Sequence, residues 1–282
     1  MKKTMKKIIM IAIAAIVAIP SVTLAAPIKG SDNIISKSIT LDQEYSKIEA
    51  SRGVKVVIEE RTDNQIIIWA NDNIMPYVEV EVEEGELEVS IDDDIKSLSN
   101  VQVVVNMPSN TNLTKIEASS AAKVEVMPAI DVHTLVLNVS SAAKVNFARA
   151  NITTFSIDAS SSASVVGIIK ADNGSLEASS AADINLNILA VRCSAKSSSA
   201  AGITLEGEVG TLYADASSAA KIDAEKCIAL EAANAKSSSA AKIKINVAKQ
   251  LTAKASSGGS IRYTGEGRIT PDASSGGSIK PL

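Results

Sequence analysis

The chain has 282 residues, a formal net charge of −4, 46% hydrophobic residues and only 2% aromatic ones. Two cysteines exclude a disulfide-rich scaffold or a four-thiolate zinc site, and one histidine, His133, excludes a multi-histidine metal centre. Seven prolines and fourteen glycines are too few for a collagen-like chain or a linker, so an ordered protein with a thin core of Ala, Val, Ile and Ser remains.

Residues 1–25 read as a secretory signal peptide. Met1–Lys7 carries four lysines and no acid, Ile8–Ile19 is an unbroken apolar run, and Thr23-Leu24-Ala25 supplies a small-residue exit. The run is shorter than the roughly 20 residues a spanning helix needs. Cleavage after Ala25 predicts an exported chain without a membrane span. No cysteine near the cut could take a lipid, so a lipoprotein is not expected. The mature chain is acidic in one part: residues 26–112 hold 7 Lys/Arg against 17 Asp/Glu, and residues 113–282 hold 17 against 15. That balance disfavours nucleic acid and anionic lipid as partners.

Residues 26–112 read as a β-rich N-terminal region that caps residues 113–282 and merges into them. Strands are predicted over Ile34–Ile39, Val54–Glu60, Gln65–Ala70, Tyr77–Val82, Glu86–Ile91 and Val101–Met107. Glu83-Glu84-Gly85 has the composition of a hairpin turn between two alternating strands.

Residues 113–282 are a repeat. Ala118-Ser119-Ser120-Ala121-Ala122-Lys123-Val124 recurs with its first Ser at 140, 160, 179, 198, 217, 238, 256 and 274, a period of 18–21 residues. Apolar and polar residues alternate around each copy, which means strand. Strands returning at this period without hairpin dipeptides predict an all-β fold: a parallel β-helix, or β-solenoid, whose coils stack about 4.8 Å apart. The Ser-Ser-Ala-Ala motif reads as a narrow corner that only small residues fill, and the last two copies change Ala-Ala to Gly-Gly.

Ile66–Ile91, Val101–Val126 and the serial Ser-Ser-Ala-Ala copies resemble the putative auto-transporter adhesin, head GIN domain family, over roughly Tyr45 to Ile261. The resemblance implies an exported β-helical protein with an adhesin-type role. It carries over no catalytic residues and no cofactor. Relatives often begin with a lipobox cysteine, which this sequence lacks.

Candidate chemistry is sparse. A Ser-His-acid triad would have to use His133, yet no Gly-x-Ser-x-Gly context surrounds it, and it reads as a turn residue. Glu79, Glu81, Glu83, Glu84, Glu86 and Glu88 alternate on a hairpin as a solvated face. Asp92-Asp93-Asp94 lacks the Gly and closing Glu of a calcium loop. Neither metal nor cofactor is expected. Cys193 falls in an apolar column of the repeat and Cys227 in another, predicting two buried free thiols.

Two exposed columns can be read from the spacing. One contains Lys123, Lys144, Lys221 and Lys242, the candidate interaction surface. The other runs from Glu117 and Asn138 through Lys196 to Asp272, in broken charge order that solubility alone would explain. The expected function is a non-catalytic surface or periplasmic interaction protein whose partner is a glycan or an envelope protein. Association through the rod's ends or faces is also open to it. The alternatives are a polysaccharide-active β-helix enzyme, which would need longer loops and converging acids, and a purely structural envelope component.

Overall fold

The computed structural model describes residues 28–95 and 97–282; the signal peptide expected over residues 1–25 lies outside them. The fold is the β-solenoid expected from the repeat, with about nine turns and one short 3-10 turn, Met75–Tyr77, among the described residues. Long strands such as Asp183–Ser197 and Gly202–Ala216 bend around the coil and pair in parallel with the coils on either side, residue for residue. Pairing in register stacks each side chain on its equivalent. Inward columns are therefore Val, Ile, Leu and Ala, and they form one continuous core from Tyr45 to Ile261.

The repeat begins earlier than its Ser-Ser-Ala-Ala copies suggest. Lys47–Ala50, the turn Ser51-Arg52-Gly53-Val54 and Lys55–Ile58 form a further rung, paired in parallel with Lys115–Ala118 and with Lys123–Val126. Lys47-Ile48-Glu49-Ala50-Ser51 matches Lys115-Ile116-Glu117-Ala118-Ser119 letter for letter, a copy masked by the Arg52-Gly53 that stands in place of Ser-Ala. Beneath that rung lie Glu86–Ile91 and Val103–Met107, again parallel. Order in space thus differs from order in the chain.

Antiparallel strands close this end. Val78–Glu83 pairs with Glu86–Ile91 across the expected hairpin, Gln65–Asn71 with Val103–Met107, and Ile34–Thr40 with Gln65–Asn71. Both outer edges of the first rung are covered, which denies a template to further strands.

The opposite end is guarded differently. In the last described rung, Arg268 and Ser274 donate their amides inward to Lys249 and Ala255, as Ser278 and Leu282 do to Gly259 and Tyr263. Amides alternate in direction along a strand, so positions 271 and 281 face outward. Both are proline. The outer edge of this rung therefore lacks two donors.

The turn has a specific geometry. Its two central residues are left-handed: Ser120 and Ala121 have φ of 48° and 64°, and Ser180 and Ala181 have 50° and 61°. Non-glycine residues there cost roughly 1–2 kcal/mol each. Stacking offsets that cost through hydrogen bonds: Ala122 N–H donates to Ser119 within the turn, while Ala121 N–H donates to the Ser141 carbonyl of the next coil. In the last two copies Gly258 and Gly276 take the second left-handed position, at 74° and 77°.

This corrects the crowded-corner expectation. Ser180 and Ala181 point outward and are exposed; only the final Ala of the motif, as at Ala182, is fully buried. Gly-Gly marks a tighter corner, because a Cβ on Gly259 would lie 2.4 Å from the Ser237 carbonyl oxygen. Two serines replace Ala in an inward column, and each is satisfied locally. Ser197 Oγ donates to the Ala201 carbonyl at 2.9 Å and Ser237 Oγ to that of Ala241 at 2.8 Å.

The two phenylalanines fit the thin core only because of their neighbours. Phe147 lies in register with Gly167 and Phe155 with Gly174. A Cβ on Gly167 would come within 2.3 Å of the Phe147 ring, and one on Gly174 within 2.0 Å of the Phe155 ring.

Cys193 and Cys227 are both buried and free, as their columns predicted. Burial pushes each thiol up to about 12, and for Cys193 the nearby Cys227 adds to the effect. The folded state thus holds both thiols protonated where an unfolded chain would ionise, so their contribution to stability is complete below about pH 8.5 and is lost as pH rises towards 12. We expect no alkylation of the native protein at pH 8 and labelling of two thiols after denaturation; native labelling would show an exposed thiol.

Candidate functional site

The sheet leading into the turn presents two outward columns side by side. Two residues before each first Ser, the register runs Glu88, Glu49, Glu117, Asn138, Asp158 and Glu177. It continues through Lys196, Asp215, Lys236, Lys254 and Asp272. The neighbouring column, four residues before the Ser, runs Lys47, Lys115, Val136, Ser156, Ser175, Ser194, Tyr213, Asn234 and Thr252.

Shallow depressions border the charged column, two towards the first Ser of each turn and one towards Tyr213, and together make a broken trough. One depression lies at Glu117, Asn138 and Asp158. A second shares Asp158 and passes Glu177 to Lys196 and Asp215. A third shares Lys196 and Asp215, includes Tyr213 and ends at Lys236 and Lys254. Tyr213 is exposed here, as Trp69 and Tyr77 are in the N-terminal region. The trough is acidic towards the N-terminal end and lysine-bearing towards the other. Ion pairs within the column, Lys196–Glu177 at 2.9 Å and Lys236–Asp215 at 3.7 Å, hold its middle.

At the acidic end Glu49, Glu86 and Glu117 bring carboxylate oxygens within 4.8 Å of one another. Burial, then the charges of Glu88, Glu117 and Glu86, raise the Glu49 carboxyl above its ordinary value, with Lys115 opposing. Burial pushes Glu117 the same way, but hydrogen bonds from Asn138 and Lys115 outweigh it and bring that carboxyl down. The hairpin thus brings Glu86 and Glu88 to this cluster. Glu83, Glu81 and Glu79 stand opposite Glu86, Glu88 and Ser90 on the same face and remain exposed, with Ser90 Oγ 3.1 Å from carboxylate oxygens of both Glu79 and Glu88. Glu84 is exposed in the turn. Of Asp92–Asp94, Asp93 pairs with Arg52 at 2.7 Å, which ties the loop to the first left-handed turn.

The lysine column of the other sheet holds its predicted register but forms no continuous stripe. Lys55, Lys123 and Lys144 are neighbours, as are Lys221 and Lys242, with Ser164, Asp183 and Gly202 between the groups. Lys144 and Lys221 are four rungs apart, about 19 Å. Lys55 pairs with Glu125 at 2.8 Å and Lys221 with Asp223 at 2.9 Å. His133 is exposed on the strand Lys123–Val139, with neither hydrogen bond nor ion pair among the described residues.

The model of the putative auto-transporter adhesin, head GIN domain family matches residues 44–168 and again 151–267. The chain belongs to this family. Two successive matches are what a repeated fold gives, and the family places the protein among adhesin-like surface or exported proteins. No curated protein matches the chain.

Among solved structures, a putative adhesin from Parabacteroides merdae ATCC 43184 is 20% identical with a TM-score of 0.67, covering 90% of this chain and 98% of its own. A putative adhesin from Parabacteroides distasonis ATCC 8503 is 16% identical, TM-score 0.66, covering 90% and 99%. A putative lipid binding protein from the same strain is 18% identical, TM-score 0.63, covering 91% and 99%. At these identities they establish a shared fold. Among the described residues no helix is long and apolar enough to cross a membrane.

Sequence spacing gives both columns but not the trough. Tyr213 is not legible in advance, because one aromatic at an outward position has no local signature. Glu49 lies outside the Ser-Ser-Ala-Ala copies with the rest of its rung, although the repeated Lys-Ile-Glu-Ala-Ser marks both.

Proposed function

We propose that the protein is a signal-cleaved, exported, non-catalytic adhesin-type module that engages an extended envelope partner along a lateral face. The trough carries this reading, because it is long, shallow and built from polar groups repeated at each rung. A catalytic site instead needs one acid or base placed uniquely in a cleft. The mature N-terminus should be Ala26, or a residue next to it, by N-terminal sequencing; retention of Met1–Ile19 would overturn export with cleavage.

The function is tested by a glycan array together with envelope pull-down on the purified protein. Reversing charge at Lys236 and Lys254 should weaken capture strongly. The same change at Lys123, Lys144, Lys221 and Lys242, the alternative face, should matter less. His133→Ala, and Glu79→Gln with Glu81→Gln, should leave binding within about threefold, under ~1 kcal/mol. Turnover of a polysaccharide that one such substitution abolishes would replace the binding reading with an enzymatic one.

A further inference from the structure

The charge order of the trough is self-complementary. We propose that the partner it fits is a second copy of this chain, lying antiparallel and face to face, with the two-fold axis along the strand direction at the rung of Ser175 and Glu177. The proposal rests on the adhesin-type reading and names the partner of that same trough.

A two-fold axis along the strands reverses the rod but keeps each outward column opposite itself. Rungs equidistant from Glu177 then meet. Lys196 faces Asp158 of the second copy, Lys236 faces Glu117 and Lys254 faces Glu49; each contact occurs twice. Asp215 faces the carboxamide of Asn138. In the neighbouring column Tyr213 meets Val136, Ser194 meets Ser156, and Lys115 and Lys47 meet the uncharged Asn234 and Thr252. Glu177 meets its own equivalent on the axis, but each is already bonded to Lys196 at 2.9 Å. Glu88 and Asp272 meet only at the outermost rungs.

The adjacent registers fail on charge. Moving the axis half a rung towards Lys196 sets Asp158 against Asp215 and Glu49 against Asp272. Moving it half a rung the other way sets Glu117 against Asp215 and Asp158 against Glu177. A parallel pair puts every charge against itself. An axis between Lys196 and Asp215 also sets three lysines per copy against carboxylates, those of Asp215, Glu177 and Asp158. It leaves Glu49 and Glu117 without a partner and matches a shorter stretch, whereas the Glu177-centred alignment uses both ends of the column.

The matched stretch from Glu49 to Lys254 is eight rung spacings, about 38 Å, by about 12 Å across two columns. That is roughly 500 Å² per copy, at the low end for specific interfaces, so a weak and salt-sensitive dimer is expected. Antiparallel copies are also what molecules carried on two facing surfaces would form.

Sedimentation velocity over a concentration series tests this directly. The wild-type protein should associate to a dimer at low ionic strength and dissociate in 0.5 M salt, a shift of tenfold or more in the midpoint concentration. Lys236→Glu with Lys254→Glu should be monomeric alone, and so should Glu49→Lys with Glu117→Lys. Mixed together they should form a one-to-one heterodimer, since every reversed charge then meets its complement. That rescue also shows that both variants are folded.

A wild-type protein monomeric throughout, or a lysine-reversed or glutamate-reversed variant that dimerises like wild type, would overturn the proposal, as would a mixture that associates no better than its parts. Binding to the glycan array by a monomeric protein would overturn self-association while leaving the adhesin-type reading intact. Failure of both assays would remove both.

Discussion

Gly174→Ala should lower the melting temperature by roughly 5–10 °C, corresponding to about 2–3 kcal/mol. The added methyl would lie 2.0 Å from the Phe155 ring, which is buried at 4% exposure and has coils on both sides. Neither backbone can retreat without breaking register with the next rung. Phe155→Leu removes the ring atoms that the methyl would meet. The double variant should therefore recover much of the loss, although Phe155→Leu alone leaves a void and destabilises. Additive effects of the two changes in a thermal double-mutant cycle would show that ring and glycine are not coupled.

Ala182→Leu should cost more, about 3 kcal/mol or above, because Ala182 is fully buried in a column of alanines. The adjacent Ala181 should respond in the opposite sense. It is exposed and left-handed at φ 61°, so Ala181→Gly relieves backbone strain. The entropy glycine adds to the unfolded chain offsets part of that gain, leaving a net stabilisation of up to ~1 kcal/mol. Thermal melts of the two variants should therefore move in opposite directions. Equal losses would mean that the turn is confined on both sides.

Those neighbouring positions also show where sequence stops being legible. Period-two alternation and a period of 18–21 residues are enough for the solenoid, because in-register stacking imposes both on any such chain. Nothing in Ser180-Ala181 announces a positive φ, since neither residue prefers it. The signal lies in variant copies, Arg52-Gly53 and the two Gly-Gly turns, where glycine occupies the same place. The rung of Glu86–Ile91 and Val103–Met107 beneath Lys47–Ile58 cannot be ordered from sequence, because parallel pairing joins distant segments without local marks. For the trough, spacing supplies the columns and their charges. Which columns border a concave surface depends on how the coil bends, and alternation does not encode that.

The prolines at the open end have a consequence for proteostasis. A stack of parallel, in-register strands with rungs near 4.8 Å apart has the geometry of an amyloid core, and its free end resembles a fibril tip. Pro271 and Pro281 remove two outward donors from that tip, while the antiparallel strands cover the other end. The first and last described rungs thus carry different stops. Replacing both prolines with threonine would restore a full row of donors at one of them and leave folding of the inner coils untouched. The rod would then become a seed able to recruit partly unfolded chains, and the protective role of two side chains would be read in fibre formation rather than in stability.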